Sequence, residues 1–129
     1  MTDQITPQFD VRPARAEMLP TVMAILDAAL LDIAVETVRD RLSSGAVLVA
    51  TEEDRILGTV VLNDTHIEAI AVRPNRRGQG IGTALVDAAS TRGRLTAAFR
   101  PGVSEFYESL GFDIERTGDR WRGVTPTAR

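Results

Sequence analysis

The stretch of this chain best suited to chemistry is Arg77-Gly78-Gln79-Gly80-Ile81-Gly82-Thr83, where closely spaced glycines run into an amphipathic segment. The first turn of a helix carries unpaired N–H groups and a partial positive charge, so it attracts anions. Glycines let the backbone approach a phosphate closely, and Arg77 adds a charge-assisted contact. Arg73 and Arg76 stand close enough in sequence to reach further phosphates. A plain turn with solvated arginines is the simpler alternative, and residue types alone leave both open.

What the chain lacks narrows the chemistry further. It has no cysteine, which excludes disulfides, thiolate metal sites and a cysteine nucleophile. All fifteen basic residues are arginine. Schiff-base chemistry and the lysine of a nucleotide-binding P-loop are therefore absent. His66 is the only histidine, so no multi-histidine zinc site can form, and no metal is expected. The G-x-G-x-x-G spacing of a dinucleotide site fails from Gly78, because the sixth position is Thr83. A net charge of −3 argues against a nucleic-acid partner. No apolar stretch approaches the roughly 20 residues of a membrane span. The N-terminus has no signal-peptide pattern, so a cytoplasmic location is expected.

The elements that must position the loop follow from the periodicity. At 129 residues the chain suits one domain, with loose termini at 1–8 and 125–129. Phe9 to Ala14 alternates as an edge strand. Glu17 to Ile33 repeats apolar residues every three or four positions and predicts a helix with Pro20 in its first turn. A shorter helix spans about Val35 to Ser43 and stops at Gly45. Ala46 to Thr51, Ile56 to Leu62 and His66 to Val72 read as three consecutive antiparallel strands. The third is apolar on both faces, with Ile67, Ala69 and Ala71 on one and Ile70 and Val72 on the other, so it is expected at the centre of the sheet. From Gly80 the pattern is helical to about Gly93. Leu95 to Phe99 is a strand, Val103 to Leu110 a short helix ending at Gly111, and Phe112 to Glu115 and Arg120 to Val124 close the chain as two strands. The order is β-α-α-β-β-β-α-β-α-β-β, an α/β fold.

Ile70-Ala71-Val72-Arg73-Pro74 followed by Arg77-x-x-Gly80-x-Gly82 resembles motif A of the GNAT (GCN5-related) N-acetyltransferases, whose consensus is Arg/Gln-x-x-Gly-x-Gly/Ala. Further on, Phe106-Tyr107-Glu108-Ser109-Leu110-Gly111-Phe112 is similar to the family's Phe-Tyr-x-x-x-Gly-Phe segment. Both motifs fall on the right elements in the right order, and the element order agrees over nearly the whole chain. The resemblance implies a single GNAT domain with a mixed, mostly antiparallel central sheet flanked by helices. It implies acetyl-CoA as co-substrate and a small-molecule or peptide primary amine as acceptor.

It also implies roles for particular residues. Amides from Arg77, Gly78, Gln79, Gly80, Ile81, Gly82 and Thr83 would bind the pyrophosphate. The pantetheine arm would lie along Ile70, Ala71 and Val72, where a splay between this strand and Leu95–Phe99 leaves backbone groups free. An amine with a pKa near 10 is mostly protonated at neutral pH, so transfer needs a base. Glu68 lies two residues before Ile70, is expected on the same strand face, and stands on an otherwise apolar strand where burial would favour its protonated form. His66, two residues further back, is the competing base. Tyr107, the only tyrosine, matches the family position that protonates the departing thiolate. Without cysteine, the amine should attack the thioester directly in a ternary complex. Many family members carry asparagine at the position of Arg100, which puts that cofactor contact in question. A non-catalytic acyl-CoA sensor of the same fold is the alternative function, and the chain is expected to be a monomer or homodimer.

Overall fold

The computed structural model describes residues 9–99, 104–109, 112–117 and 120–124. The expected loose termini, Arg100, the Pro101-Gly102 break, Val103, Leu110, the Gly111 cap and the Gly118-Asp119 turn lie outside the described residues. Among the described residues, seven strands and four helices follow in the expected order. They are β1 (Asp10–Pro13), α1 (Leu19–Ala28), α2 (Val35–Ser43), β2 (Val47–Glu52), β3 (Arg55–Asn63), β4 (His66–Val72), α3 (Ile81–Ser90), β5 (Thr96–Phe99), α4 (Ser104–Ser109), β6 (Asp113–Thr117) and β7 (Arg120–Val124).

The strands form one sheet in the order β1-β2-β3-β4-β5-β7-β6, with β4 in the middle. Every pairing is antiparallel except β4 with β5. The central strands are runs of valine, isoleucine, leucine and alanine, and they are buried on both faces. Glu53 and Asp54 make the turn between β2 and β3 with φ of 49° and 71°. Positive φ at both central residues matches the right-handed twist of a hairpin.

Two apolar layers flank the sheet. Val22, Ile25 and Leu26 of α1 with Val38 and Leu42 of α2 pack on Val47, Val49, Val61, Ala69 and Ala71. Ile81, Leu85, Val86 and Ala89 of α3 pack on the other face against Leu48, Leu57, Val60, Ile70 and Val72, in a layer that also holds Tyr107 and Phe112.

Helix α2 stops where its glycine says it should. Gly45 has φ 76°, its amide bonds Leu42 O at 3.1 Å, and the Ala46 amide bonds Arg41 O at 2.8 Å. These are the two bonds of a Schellman turn. Helix α1 ends the same way but with leucine in the left-handed position. Leu30 has φ 60°, its amide bonds Asp27 O at 2.9 Å, and the Leu31 amide bonds Leu26 O at 3.1 Å. The helix expected to reach Ile33 therefore ends at Ala28. A leucine carries no stop signal, and the apolar spacing continues past the true end.

Candidate functional site

The glycine loop forms as its residues require. After β4, a 3-10 turn at Pro74–Arg76 leads to Gly78 and Gly80, with φ of 77° and 86°. Both are left-handed conformations that side chains resist. A Cβ at either glycine would meet nothing within 4 Å, so the space above the loop is open. Gly80 is the N-cap of α3, and no side chain caps it. The amides of Ile81, Gly82 and Thr83 thus open the helix without a side-chain acceptor, which leaves a cradle of donors for an anion.

The three arginines beside the loop divide their work. Arg76 bonds both carboxylate oxygens of Glu52, at 2.9 and 3.1 Å, and its Nε donates to Gln79 Oε1 at 2.8 Å. Hydrogen bonding from Arg76 holds the Glu52 carboxyl below the usual carboxylate range, and the same pair raises Arg76. Arg73 Nε donates to Ile56 O at 2.7 Å. Arg76 is thereby committed to bracing the loop rather than reaching outward. Arg77 makes one long contact, Nε to Val72 O at 3.4 Å, and is exposed. Among the described residues it is the arginine of the three most free to meet a ligand.

Gly58, which carries no motif signal, decides how close α3 comes. A Cβ there would lie 2.9 Å from Ala71 O, 3.2 Å from Ile81 Cγ2 and 3.3 Å from Leu85 Cδ1. Only the missing side chain lets the first turn of α3 rest against β3 and β4.

Among the described residues, β4 and β5 pair over a short stretch only. The two strands pair only at His66 with Thr96 and Ile67 with Ala97. His66 Nδ1 and Thr96 Oγ1 lie 2.8 Å apart at this closed end. On its other edge β5 pairs with β7 from Thr96 to Phe99, while β4 continues through Ile70, Ala71 and Val72 toward the glycine loop.

The point of divergence is also a β-bulge. Val61 pairs with Ala69 and Leu62 with Ile67, so Glu68 is an extra residue with no partner on β3. The bulge corrects the face expected for Glu68. Ile67, not Glu68, shares the apolar layer of Ile70 and Val72, while Ala69 and Ala71 face the other way. Nor is Glu68 buried. It is exposed and turns to Arg41 of α2, whose Nε and Nη2 bond its two oxygens at 2.8 and 3.3 Å. The sequence held a clue in the large residues at 67, 70 and 72. Strict alternation cannot put all three on one face, but one looped-out residue can.

Tyr107 lies on α4 in the same apolar layer as Ile67, Ile70 and Val72 and is buried. Its ring meets Phe106 and Phe112 edge to face, with centroids 5.2 and 5.4 Å apart. Burial raises its pKa, so the phenol keeps its proton well past neutrality. No group of three or more metal-ligating side chains exists among the described residues, and no described helix is long and apolar enough to cross a membrane.

Known proteins share this fold. The chain is 34% identical over 87 residues to the peptidyl-lysine N-acetyltransferase YjaB of Salmonella typhimurium, a match covering 61% of this chain and 58% of that protein's length. A GNAT-family acetyltransferase from Bacillus cereus superposes with a TM-score of 0.77 at 16% identity, over 95% of this chain and all of that one. N-acetylglutamate synthase from Neisseria gonorrhoeae, solved with coenzyme A and N-acetyl-glutamate, gives a TM-score of 0.76 at 18% identity, over 97% of this chain and 36% of that one. The family model of the acetyltransferase (GNAT) domain matches residues 43–114, more than half of the chain, from the end of α2 through β4, the glycine loop, α3 and α4 into β6. The chain belongs to the GNAT acetyltransferase family.

Proposed function

We propose that the chain is an acetyl-CoA-dependent N-acetyltransferase acting on a primary amine. The observation that most supports this is that, among the described residues, β4 pairs with β5 only at His66 and Ile67 and then leads through Pro74–Arg76 to Gly78 and Gly80. An extended, amide-bearing arm ending in a diphosphate suits such a path. The strand edge offers backbone partners, and the loop offers uncapped helix amides and Arg77. The name of the YjaB relative favours a lysyl side chain as the first acceptor to try.

Each residue then has a stated task. Arg77 and the amides from Gly78 to Thr83 bind the diphosphate. The backbone of Ile70, Ala71 and Val72 aligns the arm. Acetyl-CoA supplies an acetyl group activated as a thioester. Glu68 removes a proton from the incoming ammonium, directly or through water, so that a nitrogen lone pair is available for attack. Tyr107 gives a proton to the departing sulfur, and its burial favours the protonated phenol this requires. His66 is the weaker candidate for the base, because its Nδ1 is engaged with Thr96 at the paired end of β4.

A second reading, an acyl-CoA sensor without turnover, draws on the Arg41–Glu68 ion pair, which occupies the proposed base. Purified protein mixed with acetyl-CoA and lysyl peptides or small amines, with thiol release as readout, separates the two. Thiol release supports the enzyme, and tight CoA binding with no release on any amine favours the sensor. A folded sample that ignores millimolar CoA refutes both.

A further inference from the structure

We infer that Arg41 is a positioning residue that occupies the acceptor's place on Glu68 and is displaced by the acceptor's ammonium group. This rests on the reading of Glu68 as the base.

Glu68 is the looped-out residue of β4, at the level where β5 departs. It stands one residue past the last described pairing of β4 with β5, and the two oxygens of its carboxylate are taken by one guanidinium. The hold on Arg41 is built from its own backbone. Arg41 O accepts the Ala46 amide at 2.8 Å in the turn that ends α2 and also the Ser44 hydroxyl at 3.1 Å. Gly45 at φ 76° makes that turn. The helix end is thus fixed, and with it the root of the side chain that crosses to Glu68.

The guanidinium head, by contrast, has somewhere to go. Its Nη1 already bonds the exposed Asp40 at 2.8 Å. Arg41 also lines an open recess of about 340 Å³ with Ser44, Asn63, Asp64 and Thr65. An alkylammonium group carries the same charge as guanidinium and three donors on a compact head, so it can replace Arg41 on the carboxylate. Arg41 then keeps Asp40 and swings toward Asp64. A neutral molecule gains nothing from such an exchange. The pair therefore selects for acceptors that arrive charged.

Steady-state kinetics with a capped lysyl peptide and acetyl-CoA test the exchange. Removing the competitor in Arg41→Gln should lower the peptide's KM about two- to fivefold, the size expected of a partly exposed ion pair, and leave the KM for acetyl-CoA unchanged. Arg41→Lys keeps a cation and should return the peptide's KM toward the parent value. Asp40→Asn frees Arg41 to hold Glu68 harder and should raise the peptide's KM. A peptide KM that moves in neither Arg41→Gln nor Asp40→Asn overturns the proposal. Should Arg41→Gln fail to fold, Asp40→Asn still decides. So does the Arg41 Nε–H resonance of the parent protein, which should shift when the peptide is added and stay in place if the exchange does not occur. Glu68→Gln separates the two layers. Unchanged kcat in Glu68→Gln removes the base assignment itself, whereas lost kcat with an unmoved peptide KM in Arg41→Gln removes only the displacement.

Discussion

Arg76, in the loop before α3, grips Glu52 at the end of β2 with two parallel hydrogen bonds, 2.9 and 3.1 Å long. This pair ties the glycine loop to a strand two positions away in the sheet. Because Arg76 holds the Glu52 carboxyl below its ordinary value of 4.5, the folded state takes up that proton less readily than the unfolded chain. The contribution is therefore fully present above the ordinary value and is lost as pH falls through the lower, folded one. CoA affinity should hold from neutrality down to the ordinary carboxylate value of 4.5 and decline only below it. In Glu52→Gln it should be lower throughout and less sensitive to acid. Calorimetric titration at several pH values reads both, and identical acid limbs in the two proteins would count against the brace.

Arg77 is expected to act on the ligand where Arg76 acts on the loop. Arg77→Ala should weaken CoA binding by about 1.5–3 kcal/mol, the usual worth of a charged hydrogen bond, with little change in thermal stability. Arg73→Ala, which loses the bond to Ile56 O, should instead be felt mainly in the melting temperature. A reversal of these two patterns would show that the arginines have been assigned the wrong way round.

Gly58 offers a test of how α3 is held. The added methyl of Gly58→Ala meets a backbone oxygen at 2.9 Å, which cannot rotate away. Overpacking of this kind costs about 1–3 kcal/mol. The helix that carries the anion cradle must shift, so CoA affinity should fall together with the denaturation midpoint. Loss of stability with unaltered affinity would mean the loop is positioned from elsewhere.

Tyr107→Phe keeps the ring in its place between Phe106 and Phe112 and removes only the hydroxyl. Turnover should fall by at least tenfold, in line with the loss of a general acid, while CoA affinity changes little. Since burial raises the pKa of Tyr107, the proposed activity of the parent protein should show no loss from this group below pH 10. Unchanged turnover in the variant would rule out the acid role.

Leu30 stands in the left-handed position that ends α1, and the residue is 91% exposed. A leucine there is strained, and at that exposure it has little packing to compensate. Leu30→Gly should therefore raise stability by about 0.5–1 kcal/mol, despite the general cost of glycine to the unfolded chain. The melting temperature reads this directly. If instead it falls, the leucine is held by contacts beyond the chain's own helix end. The same strained residue explains why the end of α1 was not legible in advance, since the helical spacing of apolar residues runs on through Leu30 and Ile33.

The residues themselves determined whatever depends on neighbours in the chain. Gly78 and Gly80 before an apolar stripe specify a left-handed loop and a bare helix start, because only glycine takes those angles freely. Gly45 specifies the end of α2 by the same rule. The β-branched runs specify three consecutive central strands, and β4 and β7 have the bounds that their patterns predict. The tertiary structure decided what depends on pairing at a distance. Whether β4 stays in register with β3 is a matter of cross-strand partners, and the bulge at Glu68 moved that side chain from one face to the other. Arg41 and Glu68 are 27 residues apart, on a helix and a strand whose separate patterns carry no trace of each other. Gly58 likewise looks like an ordinary strand glycine until α3 is laid across it. Local dihedral preference is written in single residues, whereas the register and close approach of distant segments emerge only once the layers have packed.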